Sequence, residues 1–123
     1  MKLLLDTHVF LWWNQNDSRL QSVHRQAIRL PENLVYVSAA SVWEIGIKRK
    51  IGKLAFAGSI ADAIGKHRFD ALAISAEHAE AAGSLPAIHS DPFDRLLVAQ
   101  AHLEGLTLIT VDEQILRYQV PHL

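Results

Sequence analysis
The chain has 123 residues, half of them hydrophobic and 20% charged, which is enough for one domain with a real core. Its formal net charge of −1 excludes the strongly basic footprint of a DNA-coating protein, though a local basic patch is compatible with that total. There is no cysteine, so a disulfide framework, a thiolate zinc site and a cysteine nucleophile are all excluded.

The elements follow in chain order. Lys2 to Leu5 reads as a short buried strand. The apolar stretch from Leu3 to Trp13 is interrupted by Asp6 and His8, is too short to span a bilayer and lacks the flanks of a signal peptide, so a cytoplasmic protein with no membrane segment is expected. A short helix is predicted over Val9 to Asn14, turn chemistry over Asn14 to Ser18, and a polar helix over Arg19 to Arg29 that Pro31 stops. Leu34 to Val37 is the next strand. Ser38 or Ser41 then caps a helix to about Lys50, closed by Gly52. Ser59 to His67 reads as a helix, Leu72 to Ile74 as a strand, and Ala76 to Gly83 as a helix capped by Ser75. After a loop from Pro86 to Pro92, Phe93 to Glu104 is an apolar-faced helix ended by Gly105. Leu106 to Thr110 is a strand, Asp112 caps a last helix to about Arg117, and Tyr118 to Val120 is expected as an edge strand. Strands alternating with helices predict an α/β fold with a parallel sheet.

Four acids stand beside apolar runs: Asp6 and Asp112 where a strand hands over to a helix, Glu44 within a helix that follows a strand, and Asp94 at a helix start. In an open parallel sheet the strand C-termini line one edge, where ligands bind. Carboxylates gathered there repel one another unless a cation sits among them, and oxygen-only donors suit a hard ion such as Mg²⁺ or Mn²⁺. The bland reading is that Asp6, Asp94 and Asp112 are helix caps. Glu44 resists that reading, because Val-Trp-Glu-Ile is otherwise apolar and a carboxylate there needs a partner. Thr7 and Thr110 place hydroxyls near the terminal acids, either to orient them or to cap turns. Asp91, before Pro92, is expected to cap the helix carrying Asp94 and is an outside candidate ligand.

The segments Leu-Leu-Leu-Asp-Thr-His at 3–8, Val-Ser-Ala-Ala-Ser-Val-Trp-Glu-Ile at 37–45, His-Ser-Asp-Pro-Phe-Asp-Arg-Leu-Leu-Val-Ala-Gln-Ala at 89–101 and Leu-Ile-Thr-Val-Asp at 108–112 make the chain resemble a PIN-domain ribonuclease, more closely a VapC-type toxin of a toxin–antitoxin pair. The resemblance implies a single domain over 1–123, a three-layer α/β/α sandwich around a mostly parallel sheet of four to five strands. It implies catalytic and metal-ligating roles for Asp6, Glu44, Asp94 and Asp112 with Mg²⁺ or Mn²⁺, the contribution of Asp112 being the most variable among relatives. RNA as substrate, a cognate antitoxin and a homodimer are the partners it implies.

Lys48, Arg49, Lys50 and Lys53 form the densest basic cluster, either a solvated helix end or a phosphate-tracking patch. Arg95 either pairs with an acid or touches substrate. The 7 histidines lack metal-site spacing; His8 and His89 lie beside motif segments and are taken to line the cleft without a catalytic role. Phe10, Trp12, Trp13 and Trp43 concentrate aromatic surface near the site, with core packing the first explanation and one exposed tryptophan of the adjacent pair expected at an interface. The competing readings are a PIN-like module that binds RNA or protein without cutting, a phosphoaspartate enzyme, for which His8 stands where a second Asp is wanted, and a DNA nuclease. Nucleotide-binding glycine loops are absent, and the strand–helix alternation disfavours a helix-turn-helix regulator.

Overall fold
The computed structural model describes residues 1–123. The elements are β1 (Lys2–Leu5), α1 (Thr7–Gln15), α2 (Ser22–Arg29), β2 (Leu34–Ser38), α3 (Ala39–Lys50), α4 (Ile60–Lys66), β3 (Asp70–Leu72), α5 (Ala76–Ser84), α6 (Pro92–Glu104), β4 (Thr107–Ile109) and α7 (Glu113–Leu116). The strands form one sheet in the order β3-β2-β1-β4, every pair parallel. The three-layer α/β/α architecture and the parallel sheet expected from the sequence are both present, with four strands.

Period-2 alternation in the strands builds the layers. Leu3 and Leu5 of β1, with Val35, Val37 and Ile109, face a core closed by Val9 and Phe10 of α1, Ile28 of α2, Ile45 of α3 and Ile64 of α4. Leu4 and Leu108 face the opposite way onto Leu97, Val98 and Ala101 of α6, Ile115 of α7, and Tyr118 and Val120. Strand β1 is thus apolar on both faces, as a central parallel strand must be. Strand order reverses at β1, with β2 on one side and β4 on the other, which opens a crevice beyond their C-terminal ends.

Several boundaries differ from the sequence expectation. Helix α2 begins at Ser22, because Asp17 accepts hydrogen bonds from the backbone N–H and guanidinium of Arg19 and holds a turn that lets Leu20 enter the core. Strand β3 lies at Asp70–Leu72 rather than 72–74: Tyr36 pairs with Asp70 and Ser38 with Leu72, and buried Phe69 anchors its start. Tyr118 to Val120 forms no edge strand. Its surroundings offer a single bridge between Leu108 and His122, and Pro121 has no N–H to extend a ladder. Trp12 and Trp13 are both half-buried against the first core, so neither is the exposed member of a pair; the exposed tryptophan is Trp43, edge-on to Phe93.

Helix α6 ends on Gly105 at φ 65°, a left-handed cap whose missing Cβ would meet nothing, whereas Gly46 lies inside α3 with equally open space. Substitution therefore isolates backbone preference: in urea unfolding, Gly105→Ala should destabilise by about 1 kcal/mol, while Gly46→Ala should stabilise by about 0.5–1 kcal/mol. Shifts of the same sign in both variants would contradict these assignments.

Candidate active site
Each acid of the crevice is delivered by a distinct local device. Asp6 follows β1 and caps α1, its Oδ1 accepting from Val9 N at 2.8 Å. Ser38 caps α3 by accepting from Ala40 N, and the helix carries Glu44 one turn in. Asp91 caps α6, accepting from Phe93 N and Asp94 N, with Pro92 in the first turn; that duty leaves Asp94 to face the crevice. Asp112 caps α7 by accepting from Gln114 N at 2.8 Å. The capping reading and the site reading are therefore not alternatives for Asp6 and Asp112, since capping occupies one oxygen and leaves the carboxylate at the sheet edge.

The first two acids are nearly sealed from solvent, Asp6 at 3% and Glu44 at 4% exposure. Thr110, just past β4, donates its hydroxyl to Asp6 Oδ2 and accepts from the backbone N–H of Asp112, linking the two acids. Thr7 donates to Glu44 Oε1 at 2.7 Å, with Ser41 Oγ 2.9 Å from the same hydroxyl, and Lys48 Nζ donates to Glu44 Oε2 at 2.6 Å. Asp94 and Asp112 lie closer to solvent, and with His89 they bring ligand atoms within 4.8 Å of one another. His89 Nε2 stands 2.8 Å from Asp94 Oδ2. Asp94 Oδ1 and Asp112 Oδ2 accept no hydrogen bond from the protein.

Burial pushes the Asp6 carboxyl above its ordinary range, against the opposing pull of Thr110 and Val9. Asp94 is pushed up to about 7, first by burial and then by the charge of Asp91, with smaller contributions from Glu44 and Asp112 that the His89 contact partly offsets. Asp6 likewise feels the charge of Asp112. The four acids thus share one electrostatic site that is short of positive charge, with Lys48 the one cation bonded to any of them. Oxygen donors, two of them free, around a deficit of positive charge fit a hard divalent cation. His89 offers a nitrogen beside them, a member of the cluster that the sequence reading gave no role because its approach to Asp94 depends on loop conformation.

That loop is held by Arg95. Its guanidinium donates to the carbonyls of Ala82, Leu85, Pro86 and His89 and to Tyr118 Oη, while Tyr118 Oη accepts from His89 N. Arg95, expected to meet an acid or substrate, is instead a scaffold for residues 85–89. Arg49 is similarly committed, donating to the carbonyls of Phe56 and Gly58, and Lys48 is taken by Glu44. Of the cations proposed for RNA contact, Arg49 and Lys50 are exposed and in no ion pair, as is Lys53 beside them, but Arg49 is spent on backbone carbonyls, which leaves Lys50 and Lys53.

The PIN domain family profile matches residues 3–121. The chain belongs to the PIN-domain family. It is 30% identical to ribonuclease VapC22 of Mycobacterium tuberculosis over 127 residues, covering 97% of this chain and 93% of that relative. Its fold superposes on the structure of VapBC2 from Rickettsia felis bound to a DNA fragment from their promoter, at a TM-score of 0.73 and 16% identity over 100% of this chain and 98% of the other. VapBC-1 from nontypeable Haemophilus influenzae gives a TM-score of 0.68 at 18% identity, covering 100% and 97%. No helix of this PIN domain is long and apolar enough to cross a membrane.

The raised Asp94 value has a consequence for the metal-free protein. Its folded-state value of about 7 lies above the ordinary 3.8, so the proton it retains stabilises the fold fully below about pH 4, and that contribution is lost as pH rises through about 7. In chelator, the melting temperature should fall between about pH 5 and about pH 8 more steeply for wild type than for Asp94→Asn. Parallel profiles for the two proteins would contradict the assignment.

Proposed function
We propose that this PIN domain, a single unit over 1–123, is a Mg²⁺- or Mn²⁺-dependent endoribonuclease acting in the cytoplasm as the toxin of a toxin–antitoxin pair. The observation that carries the reading is the cluster of Asp94, Asp112 and His89, whose ligand atoms lie within 4.8 Å of one another, beside the buried Asp6 and Glu44 whose charges it feels, with Asp94 pushed up to about 7 by burial and by the charge of Asp91. The similarity to a VapC ribonuclease over nearly the whole chain supports RNA as the substrate. The fold neighbours are toxin–antitoxin complexes, which supports a cognate antitoxin. Trp43 and Ile47 of α3 and Ile51 at its C-cap, exposed at four-residue intervals, supply apolar surface for a homodimer or that antitoxin.

Asp6, Glu44, Asp94 and Asp112 would hold the ion. When bound, a divalent cation neutralises charge on the scissile phosphate and makes water a better nucleophile at neutral pH. Thr110 fixes the rotamer of Asp6, and Thr7 with Lys48 fixes that of Glu44. His89 engages Asp94 Oδ2 and leaves Oδ1 without a protein partner, available to a cation. Water attacks phosphorus in line and gives up a proton to solvent, the bond to the 3′-oxygen breaks, and that oxygen takes up a proton, so the products carry 5′-phosphate and 3′-hydroxyl ends. No covalent enzyme intermediate is needed.

The test is purified, antitoxin-free protein with total RNA, in Mg²⁺, Mn²⁺ or chelator. Wild type should give discrete metal-dependent fragments, and Asp94→Asn should lose roughly a hundredfold or more of that activity with an unchanged circular dichroism spectrum. Undiminished cleavage by the variant, or cleavage in chelator, would overturn the reading.

A further inference from the structure
A cavity of about 630 Å³ opens beside the acids, between α1 and the connection from α3 to α4. Thr7 and Lys48, both bonded to Glu44, belong to its lining, so one wall of it adjoins that acid of the candidate metal site. Trp12, Arg19, Lys53 and His8 also line it. None of its 10 lining residues is acidic, although the chain as a whole carries 13 Asp and Glu against 12 Lys and Arg. Lys53 is exposed and has no ion-pair partner. The side wall is a ladder of flat groups: the His8 ring lies 5.9 Å from Trp12, and the Arg19 guanidinium lies 5.5 Å over the indole, held there by Asp17.

Each feature matches the chemistry of a single-stranded nucleotide. Unpaired bases stack on aromatic faces and on arginine planes, while lysines take the phosphates. The size falls within the range of small-ligand sites. A cavity with no acid in its lining, where Lys53 is left unpaired while Lys48 and Arg19 are held by Glu44 and Asp17, favours an anionic strand over an apolar peptide. We propose that this cavity is the subsite for the unpaired nucleotide adjoining the scissile phosphate, with Trp12 and Arg19 as the stacking wall and Lys53 as the phosphate contact. The proposal rests on the nuclease reading above and adds where sequence preference arises: the flanking base is selected by how it fills the cavity beside Trp12.

Binding is measured apart from cleavage. A fluorescein-labelled single-stranded RNA ten-mer is titrated in chelator by anisotropy at several salt concentrations, and cleavage sites are sequenced in parallel with Mn²⁺. Lys53→Ala, at an exposed position, should lower the slope of log affinity against log salt by about 0.7, the value for one phosphate of a single strand. Trp12→Ala should weaken binding roughly fivefold or more and change the base preferred beside the cut. Because Trp12 also packs on the core, Trp12→Phe serves as the rescue and should restore most of the affinity. Lys53→Ala with the wild-type slope, or Trp12→Ala with wild-type affinity and cut sites, would overturn the proposal. So would variants that bind RNA normally and lose only inhibition by the antitoxin, since the cavity would then be a protein-docking site. A wild type that cuts no RNA yet shows these binding changes supports the subsite and counts against the nuclease reading alone.

Discussion

The structure depends on burying Asp6 and Glu44 beside two further carboxylates at the edge of the central sheet. An unpaired charge in such a place costs several kcal/mol, and the molecule meets that cost with neighbouring donors. Thr110 and Val9 N serve Asp6; Thr7 and Lys48 serve Glu44. Asp94 and Asp112 are left with one free oxygen each, and burial together with the charge of Asp91 pushes Asp94 up to about 7. Such an arrangement is poorly compensated as a purely structural network and well suited to receiving a cation.

The fold supplies this arrangement through two parallel-strand ends and three helix starts. Reversal of strand order at β1 puts the ends of β1 and β4 side by side, so Asp6 and Thr110 meet although they are 104 positions apart. Helix starts then add acids at little further cost, because a carboxylate that caps a helix is already favoured by the local backbone. Asp91 takes the cap of α6 and thereby frees Asp94. On the far side of Asp94, Arg95 gathers the carbonyls of the preceding loop and brings His89 against the acid. One Asp-Arg dipeptide thus serves the site with its first residue and scaffolds the site's wall with its second.

Much of this was legible in the sequence, for identifiable reasons. Apolar runs ending in Asp announce both a strand end and a cap, so β1, β4 and their acids could be read from local signals. Ser38, Asp91 and Gly105 fixed helix boundaries by the same kind of chemistry. What failed was non-local. The place of β3 is set by its pairing with β2, which the apolar residues Leu72 to Ile74 do not encode. Arg49 and Arg95 look like phosphate contacts as bare cations, and only the folded chain shows the carbonyls that claim them. His89 was placed at the cleft, but its contact with Asp94 is set by the Arg95 and Tyr118 bonds across the loop.

The acids at the sheet edge are proposed to form one divalent-cation site. Crystals grown with Mn²⁺, with data collected for its anomalous signal, test it most directly. A peak is expected in contact with the free oxygens of Asp94 and Asp112 and within ligand distance of Asp6 or Glu44. A fully ordered site with no peak there, or Mn²⁺ bound elsewhere while Lys48 alone neutralises the acids, would contradict it.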